Sequence, residues 1–311
     1  MTRLLVTGAS GLLGFNVVNV ASDVLDVVAV VHNHPISIDS VEVRQVDLTD
    51  GGRVSELIKG TNPDWVIHCA ADTAIDELEM NPTRASLLNV SMTRVVSQAV
   101  GENGSRLLYV STDSVFEGSS GPYREEDDPE PQNVYARSKL EAEQVVLRQL
   151  PNALIVRTNL FGWSPGSNRS LAEWFYTNLS QGKECPGFTD IFFSPVYAPE
   201  LGKIFLRMLQ GELEGLFHVP GSDCLSKYEF GVRLALKFGF DKELVIPTEA
   251  EGRTWVARRP KRTCLDGTKI ASELGIDLPD LNDGIAHFRA DLENQAINSR
   301  DIDPGKEGNN G

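Results

Sequence analysis

The chain has 311 residues, with 44 acidic side chains against 29 Lys and Arg, for a formal charge of −15. That balance argues against nucleic acid or an anionic membrane as partner, since the bulk of the surface would repel either. Hydrophobic residues make up 41%, enough for a substantial core, and with no leader-like segment or membrane-length apolar run a cytoplasmic protein is expected.

In chain order, Arg3 to Val6 reads as a short buried strand, and the apolar positions Leu12, Leu13, Phe15, Val17 and Val18 read as a helix. Between them Gly8, Gly11 and Gly14 form G-x-x-G-x-x-G. Glycines in a strand-to-helix turn let the backbone approach a phosphate, which the first helical amides then bind. Further strands are expected over 25–31, 41–46, 65–69, 106–111 and 153–157. Helices are expected over 54–59, 82–100 and 133–149. Alternating short apolar strands and amphipathic helices predict an α/β fold, a Rossmann-type doubly wound parallel sheet. Beyond it the pattern loosens: a loop at 165–168, helices at 171–181, 197–210, 227–238 and 267–274, and a strand at 215–219. These predict a cofactor domain over 1–161, to which a helix and strand near 196–220 return. A smaller α+β substrate lobe over 162–293 and a disordered polar tail over 294–311 complete the division.

Tyr135 and Lys139 lie four apart on one helix face. A phenol near its ordinary pKa of about 10 is a poor acid or base at neutral pH. A neighbouring ammonium is expected to lower that value and ready the group for work on a carbonyl. Alone, the spacing also fits an exposed pair. Thr112 ends a strand at the carboxyl edge of the sheet, where its hydroxyl can bond a substrate oxygen or simply cap a turn. The basic residues Arg253, Arg258, Arg259, Lys261 and Arg262 stand out in so acidic a chain. Cys69, Cys185, Cys224 and Cys264 show no C-x-x-C pair and read as free thiols. The five histidines show no metal-ligand spacing.

The glycine turn with Thr112, Tyr135 and Lys139, in this order, resembles an extended short-chain dehydrogenase/reductase. The run STDSVFEG at 111–118, then YREED at 123–127, Pro131, Asn133 and Tyr135, resembles the dTDP-4-dehydrorhamnose reductase family. So does RRPKRTCLD at 258–266, and the likeness continues to about Phe288. The regulatory β subunit of methionine adenosyltransferase, which binds NADP, shares the pattern. The resemblance implies Gly8, Gly11 and Gly14 on a pyrophosphate, with Ser10, Leu12 and Leu13 in the same turn. It implies His32, Asp47 and Leu48 around the adenosine end, and Cys69, Ala70 and Ala71 along the cofactor. Thr112 and Tyr135 would meet the carbonyl and Lys139 the ribose, with Asn89 among the cofactor residues. Asp113, Ser114, Leu160 and Arg259 would face the substrate, Arg259 on its diphosphate.

Departures fall near the substrate: Ser114 stands where the family has Tyr, Ala136 where it has Gly, and Leu160 where it has Trp, although Trp163 is near. Neither acid nor arginine follows the second strand at His32 and Asn33, which favours NADP over NAD with both open. The implied activity is NAD(P)H-dependent reduction of a 4-keto-deoxy-sugar nucleotide, in a protein that the family implies is a homodimer. A non-catalytic NADP-binding regulatory subunit and a reductase or dehydrogenase of another sugar are the alternatives.

Overall fold

In the computed structural model residues 2–166 and 170–300 are described, with side chains as far as 294. Ser167 and Asn168 of the expected loop lie outside them, as do residues 301–311 of the expected tail. The first half alternates as its apolar pattern requires: β1 (Arg3–Thr7), α1 (Leu12–Ser22), β2 (Asp26–Val31), β3 (Glu42–Gln45), α2 (Gly51–Thr61) and β4 (Trp65–His68). Then come α3 (Ile75–Met80), α4 (Pro82–Ala85), a π-helical turn (Ser86–Ser91), α5 (Met92–Asn103), β5 (Arg106–Thr112), α6 (Val134–Gln149) and β6 (Leu154–Thr158). The helix expected over 82–100 is therefore three pieces, and α3 was not anticipated.

Further along are β7 (Leu160–Phe161), α7 (Leu171–Leu179), β8 (Cys185–Phe188), β9 (Phe192–Phe193), β10 (Val196–Tyr197), α8 (Ala198–Gln210) and β11 (Gly215–His218). The chain continues through β12 (Leu225–Ser226), α9 (Lys227–Phe238), β13 (Val245–Thr248), α10 (Thr268–Leu274) and α11 (Leu281–Arg300).

Seven strands form one sheet in the order β11-β6-β5-β4-β1-β2-β3, and every pair is parallel. The fold is thus a Rossmann-like α/β fold. In register, Val6 lies between Ala29 and Ile67. The central strands are buried on both faces, which explains their unbroken apolar runs. One face packs under α1 and α8, the other under α2, α5 and α6. Strand order reverses between β1 and β4, and such a switch point opens a crevice at the carboxyl ends of the strands.

The smaller lobe is held by aromatic residues. Phe161, Phe175, Phe230 and Phe288 are at most 1% exposed, and burying each contributes about 1.5–3 kcal/mol. Two expectations fail here. Cys224 and Cys264 form a disulfide, leaving Cys69 and Cys185 as the free thiols. The two half-cystines are 40 residues apart and are brought together because β9 pairs with β12 on one side and with the 261–263 segment on the other. The tail expected from 294 begins inside α11, which continues to Arg300 because a helix already anchored by Leu281, Ile285 and Phe288 propagates through polar residues at little cost.

Candidate active site

At the switch point, Gly8 takes the left-handed conformation at φ +67°, and a Cβ there would lie 2.7 Å from the Ala70 amide nitrogen. At Gly14 a Cβ would meet the Gly8 carbonyl oxygen at 2.3 Å, so α1 can rest on the turn only without a side chain. Thr7 steadies the neighbouring strand ends: its Oγ1 accepts the Ala70 N–H at 3.2 Å and bonds His68 Nδ1 at 2.7 Å. Burial pushes His68 down to about 3, so it stays neutral.

The first bond within α1 runs from the Phe15 N–H to the Gly11 carbonyl at 3.0 Å, and no side chain caps the amides before it. Those donors, on Leu12, Leu13 and Gly14, suit a pyrophosphate. Beside them lies a cavity of about 390 Å³ lined by Gly8, Ser10 and Gly11. His32, Asp47 and Leu48 line its far end, and Cys69, Ala70 and Ala71 its floor. Leu12, Leu13, Gly14 and Asn89 do not line it. Leu13 points into the core and Leu12 toward Gly162. The end of β2 presents His32, Asn33 and His34, with no carboxylate. Asp47 is turned back on its own loop, accepting the Thr49 N–H and hydroxyl, and these bonds lower its pKa. A dinucleotide with a phosphorylated ribose therefore meets no carboxylate at the end of β2.

The candidate reacting groups, Thr112, Tyr135 and Lys139, come from β5 and α6. Asn133 starts α6 by accepting the Ala136 N–H at 2.8 Å and donates to the Arg258 carbonyl at 2.9 Å, which ties the helix start to the lobe. Tyr135 is 9% exposed. Burial pushes its phenol up to about 12, against a hydrogen bond with Thr112, while Asp113 adds to the rise. The expectation that Lys139 lowers this pKa is not met. The Lys139 ammonium donates to the Val110 carbonyl at 2.8 Å and sits 4.3 Å from the centre of the Tyr109 ring. Its own pKa falls to about 8 through burial, opposed by Glu143 and Cys69. At neutral pH the pair is a neutral phenol beside a charged amine.

Asn89 supports the site from below. Its Oδ1 accepts the Asp72 N–H at 2.8 Å, and its Nδ2 donates to the Asp72 carbonyl and to Ser138 Oγ at 2.9 Å. The π-helical turn that carries Asn89 thus joins the cavity floor to α6, and widened turns of this kind recur at functional sites. Asp113 is 1% exposed and fully engaged: Thr112 and Ser114 donate to Oδ1, Asn159 and Thr263 to Oδ2. Burial still raises its pKa. It holds the lobe to β5 rather than reaching for a ligand.

Ser114 is part-buried at the same corner, and Leu160 packs against the core. Trp163 does not replace the missing aromatic group, because it stacks on Phe288 at 4.0 Å and donates to that residue's carbonyl. Arg259 crosses from the lobe to Asp76 on α3, at 2.9 Å, where the same carboxylate accepts the Ala257 N–H. Sequence reasoning missed Asp76, which pairs with Arg259, and Lys227, whose backbone N–H donates to the Ile191 carbonyl. Nothing in their local sequence distinguishes them from surface charges. Among the described residues no group of three or more His, Cys, Asp or Glu could hold a metal ion, and no helix is long and apolar enough to cross a membrane.

The RmlD substrate binding domain matches residues 1–294. The chain belongs to this family. It is 33% identical over 290 residues to the probable low-salt glycan biosynthesis reductase Agl14 of Haloferax volcanii, covering 92% of this chain and 96% of that one. It is 30% identical over 278 residues to methionine adenosyltransferase 2 subunit beta of Danio rerio, covering 86% and 84%. Among solved structures it is similar to the dTDP-4-dehydrorhamnose reductase of Bacillus anthracis in complex with NADP. That likeness has a TM-score of 0.80 at 27% identity and covers 94% of this chain and 100% of the other. The chain of this RmlD-family protein therefore matches reductases and a methionine adenosyltransferase subunit alike over most of its length.

Proposed function

We propose that this protein reduces the 4-keto group of a deoxy-sugar nucleotide with NADPH. The observation that carries the reading is the buried, protonated Tyr135 beside Thr112, at the carboxyl edge of the sheet. When bound, the reduced nicotinamide supplies a hydride. Thr112 donates a hydrogen bond to the carbonyl oxygen as negative charge gathers there. Tyr135 then gives that oxygen its proton, and a pKa near 12 keeps the proton in place until an alkoxide forms. Lys139 holds the ribose and keeps a positive charge near the phenol. Residues 1–161 serve the cofactor and 162–293 the substrate, in a cytoplasmic homodimer. NADPH is preferred because no carboxylate at the end of β2 would repel its extra phosphate.

The test is NADPH oxidation by the purified chain with dTDP-4-dehydrorhamnose. Tyr135→Phe should lower kcat/KM by about 10²- to 10⁴-fold while the Kd for NADPH stays unchanged. A second reading draws on the methionine adenosyltransferase relative: an NADP-binding regulatory subunit. It predicts no turnover with any keto-sugar nucleotide, and a changed rate of a methionine adenosyltransferase on mixing.

A further inference from the structure

Between the glycine turn and α6 runs a line of buried polar side chains. Thr7, His68, Asn89 and Thr93 are each 1% exposed, and Ser138 is 5% exposed. Polar groups this deep are stable only when bonded, and a fully bonded set is rigid.

The protons give the line a direction. The Thr93 hydroxyl donates to the Asn89 carbonyl at 2.7 Å, one turn back along the chain. Its single proton is used there, so toward His68 Nε2, at 3.1 Å, the Thr93 oxygen accepts. Nε2 therefore carries the ring proton. Burial holds the ring neutral, with Lys139 adding to the effect. Nδ1 is then the acceptor, and it takes the Thr7 hydroxyl proton at 2.7 Å. Thr7 Oγ1 accepts the Ala70 N–H at 3.2 Å. That amide lies against the glycine turn, where a Cβ on Gly8 would meet it at 2.7 Å. From the other end, Asn89 donates to Ser138 Oγ at 2.9 Å, and Ser138 donates to the Tyr135 carbonyl at 2.7 Å.

His68 spans the middle of this line. One flat ring bonds a hydroxyl at the end of β1 on one edge and a hydroxyl on α5 on the other. Asn89 is thereby held from two sides, by Asp72 through its side chain and by Thr93 through its carbonyl. The outer fastenings of α6 lead elsewhere. Glu79 on α3 accepts the Val134 N–H at 2.7 Å, and Asn133 donates to the Arg258 carbonyl. Neither of these relates Tyr135 to the glycine turn, whereas the buried line does.

We infer that His68 is a positioning residue, which sets the spacing between the glycine turn and Tyr135 by bonding Thr7 through one ring nitrogen and Thr93 through the other. Its kinetic consequence rests on the reductase reading proposed above. A misplacement of about 1 Å between hydride donor and proton donor costs up to about 10²-fold in rate.

The experiment breaks the two bonds separately. Asn carries its amide oxygen where Nδ1 stands, and Gln carries its amide nitrogen where Nε2 stands. His68→Asn thus keeps Thr7 and releases Thr93, while His68→Gln keeps Thr93. With NADPH and dTDP-4-dehydrorhamnose, His68→Asn and Thr93→Val should each lower kcat by about 10- to 100-fold. The Kd for NADPH should stay unchanged, and His68→Gln should recover most of the kcat. Adding His68→Asn to Thr93→Val should slow turnover no further, because that link is already broken. Packing loss alone would lower the Tm in every variant, His68→Gln included, and give additive losses without rescue. Amide hydrogen exchange supplies a readout that needs no turnover. In His68→Asn and Thr93→Val exchange should quicken over 86–91 and 134–139 but not over 3–14, and His68→Gln should match the wild type. A kcat unchanged in His68→Asn and Thr93→Val overturns the inference. So does a His68→Gln no faster than His68→Asn, or exchange that quickens evenly over both regions. A wild type that reduces no keto-sugar nucleotide removes the reductase reading, and the exchange pattern then decides the role of His68.

Discussion

The Lys139 ammonium donates to the Val110 carbonyl at 2.8 Å, and this bond fixes the helix carrying Tyr135 against the strand that ends in Thr112. The amine is set among groups from three elements. Tyr135 and Glu143 flank it on α6, His68 and Cys69 approach from the end of β4, and Tyr109 lies beneath it on β5. Burial dominates and brings it to about 8 from the usual 10.5. Raising the pH through about 8 therefore removes the charge proposed to hold the ribose, and kcat/KM should fall there. Stability moves the other way. Between 8 and 10.5 the unfolded chain binds more protons, so the burial penalty present below 8 is relieved as pH rises. Lys139→Arg, charged throughout, should abolish the alkaline limb in a pH–rate profile while lowering the plateau.

Beneath the candidate reacting groups, Arg157 grips Glu143 with two bonds of 3.0 and 2.7 Å, and Ser111 donates to the same carboxylate at 2.5 Å. Both charged side chains are 4% exposed. Removing one partner strands the other charge. Arg157→Met should cost about 3–5 kcal/mol in denaturant unfolding. Combining it with Glu143→Leu should recover most of that loss, since an apolar pair of similar volume needs no counter-charge.

The sheet was legible because each central strand is buried on both faces, and a run such as Leu4-Leu5-Val6 has no other stable use. Tyr135 and Lys139 were legible from helical spacing combined with their place after the glycine turn. Their protonation states were not. A phenol raised by burial looks the same in sequence as one lowered by a neighbouring amine. Helix α11 carried a readable signal in Leu281, Ile285 and Phe288, at the spacing of one helix face, hidden by the polar residues around them. The Arg259–Asp76 pair is 183 residues apart and the disulfide 40, so neither leaves a local trace. Lys227 follows a helix cap, where lysine reads as surface.

The disulfide closes a loop that includes all of α9 and the basic segment as far as Thr263. For a loop of this length the chain-entropy relation gives about 4 kcal/mol of stabilisation. Alkylation of the unfolded native chain should label Cys69 and Cys185 alone, and all four cysteines after reduction. Cys264→Ser should lower the Tm of the lobe and weaken nucleotide-sugar binding more than NADPH binding, because Cys264 follows the Thr263 that bonds Asp113.

In the proposed cofactor site the choice of dinucleotide turns on the exposed end of β2, where His32, Asn33 and His34 line the cavity. Asp47 lies nearby, but its carboxylate is held by Thr49 and turned away. Asn33→Asp would add the missing carboxylate in nearly the same volume. That charge repels a ribose phosphate and accepts hydrogen bonds from free ribose hydroxyls. The Kd for NADPH should rise by about tenfold or more and that for NADH should fall, with a repulsion of this size weakening as salt is added. Fluorescence titration with each cofactor measures the ratio directly. An unchanged ratio would place the discriminating contact elsewhere, with Arg84 on the cavity wall as the next residue to replace.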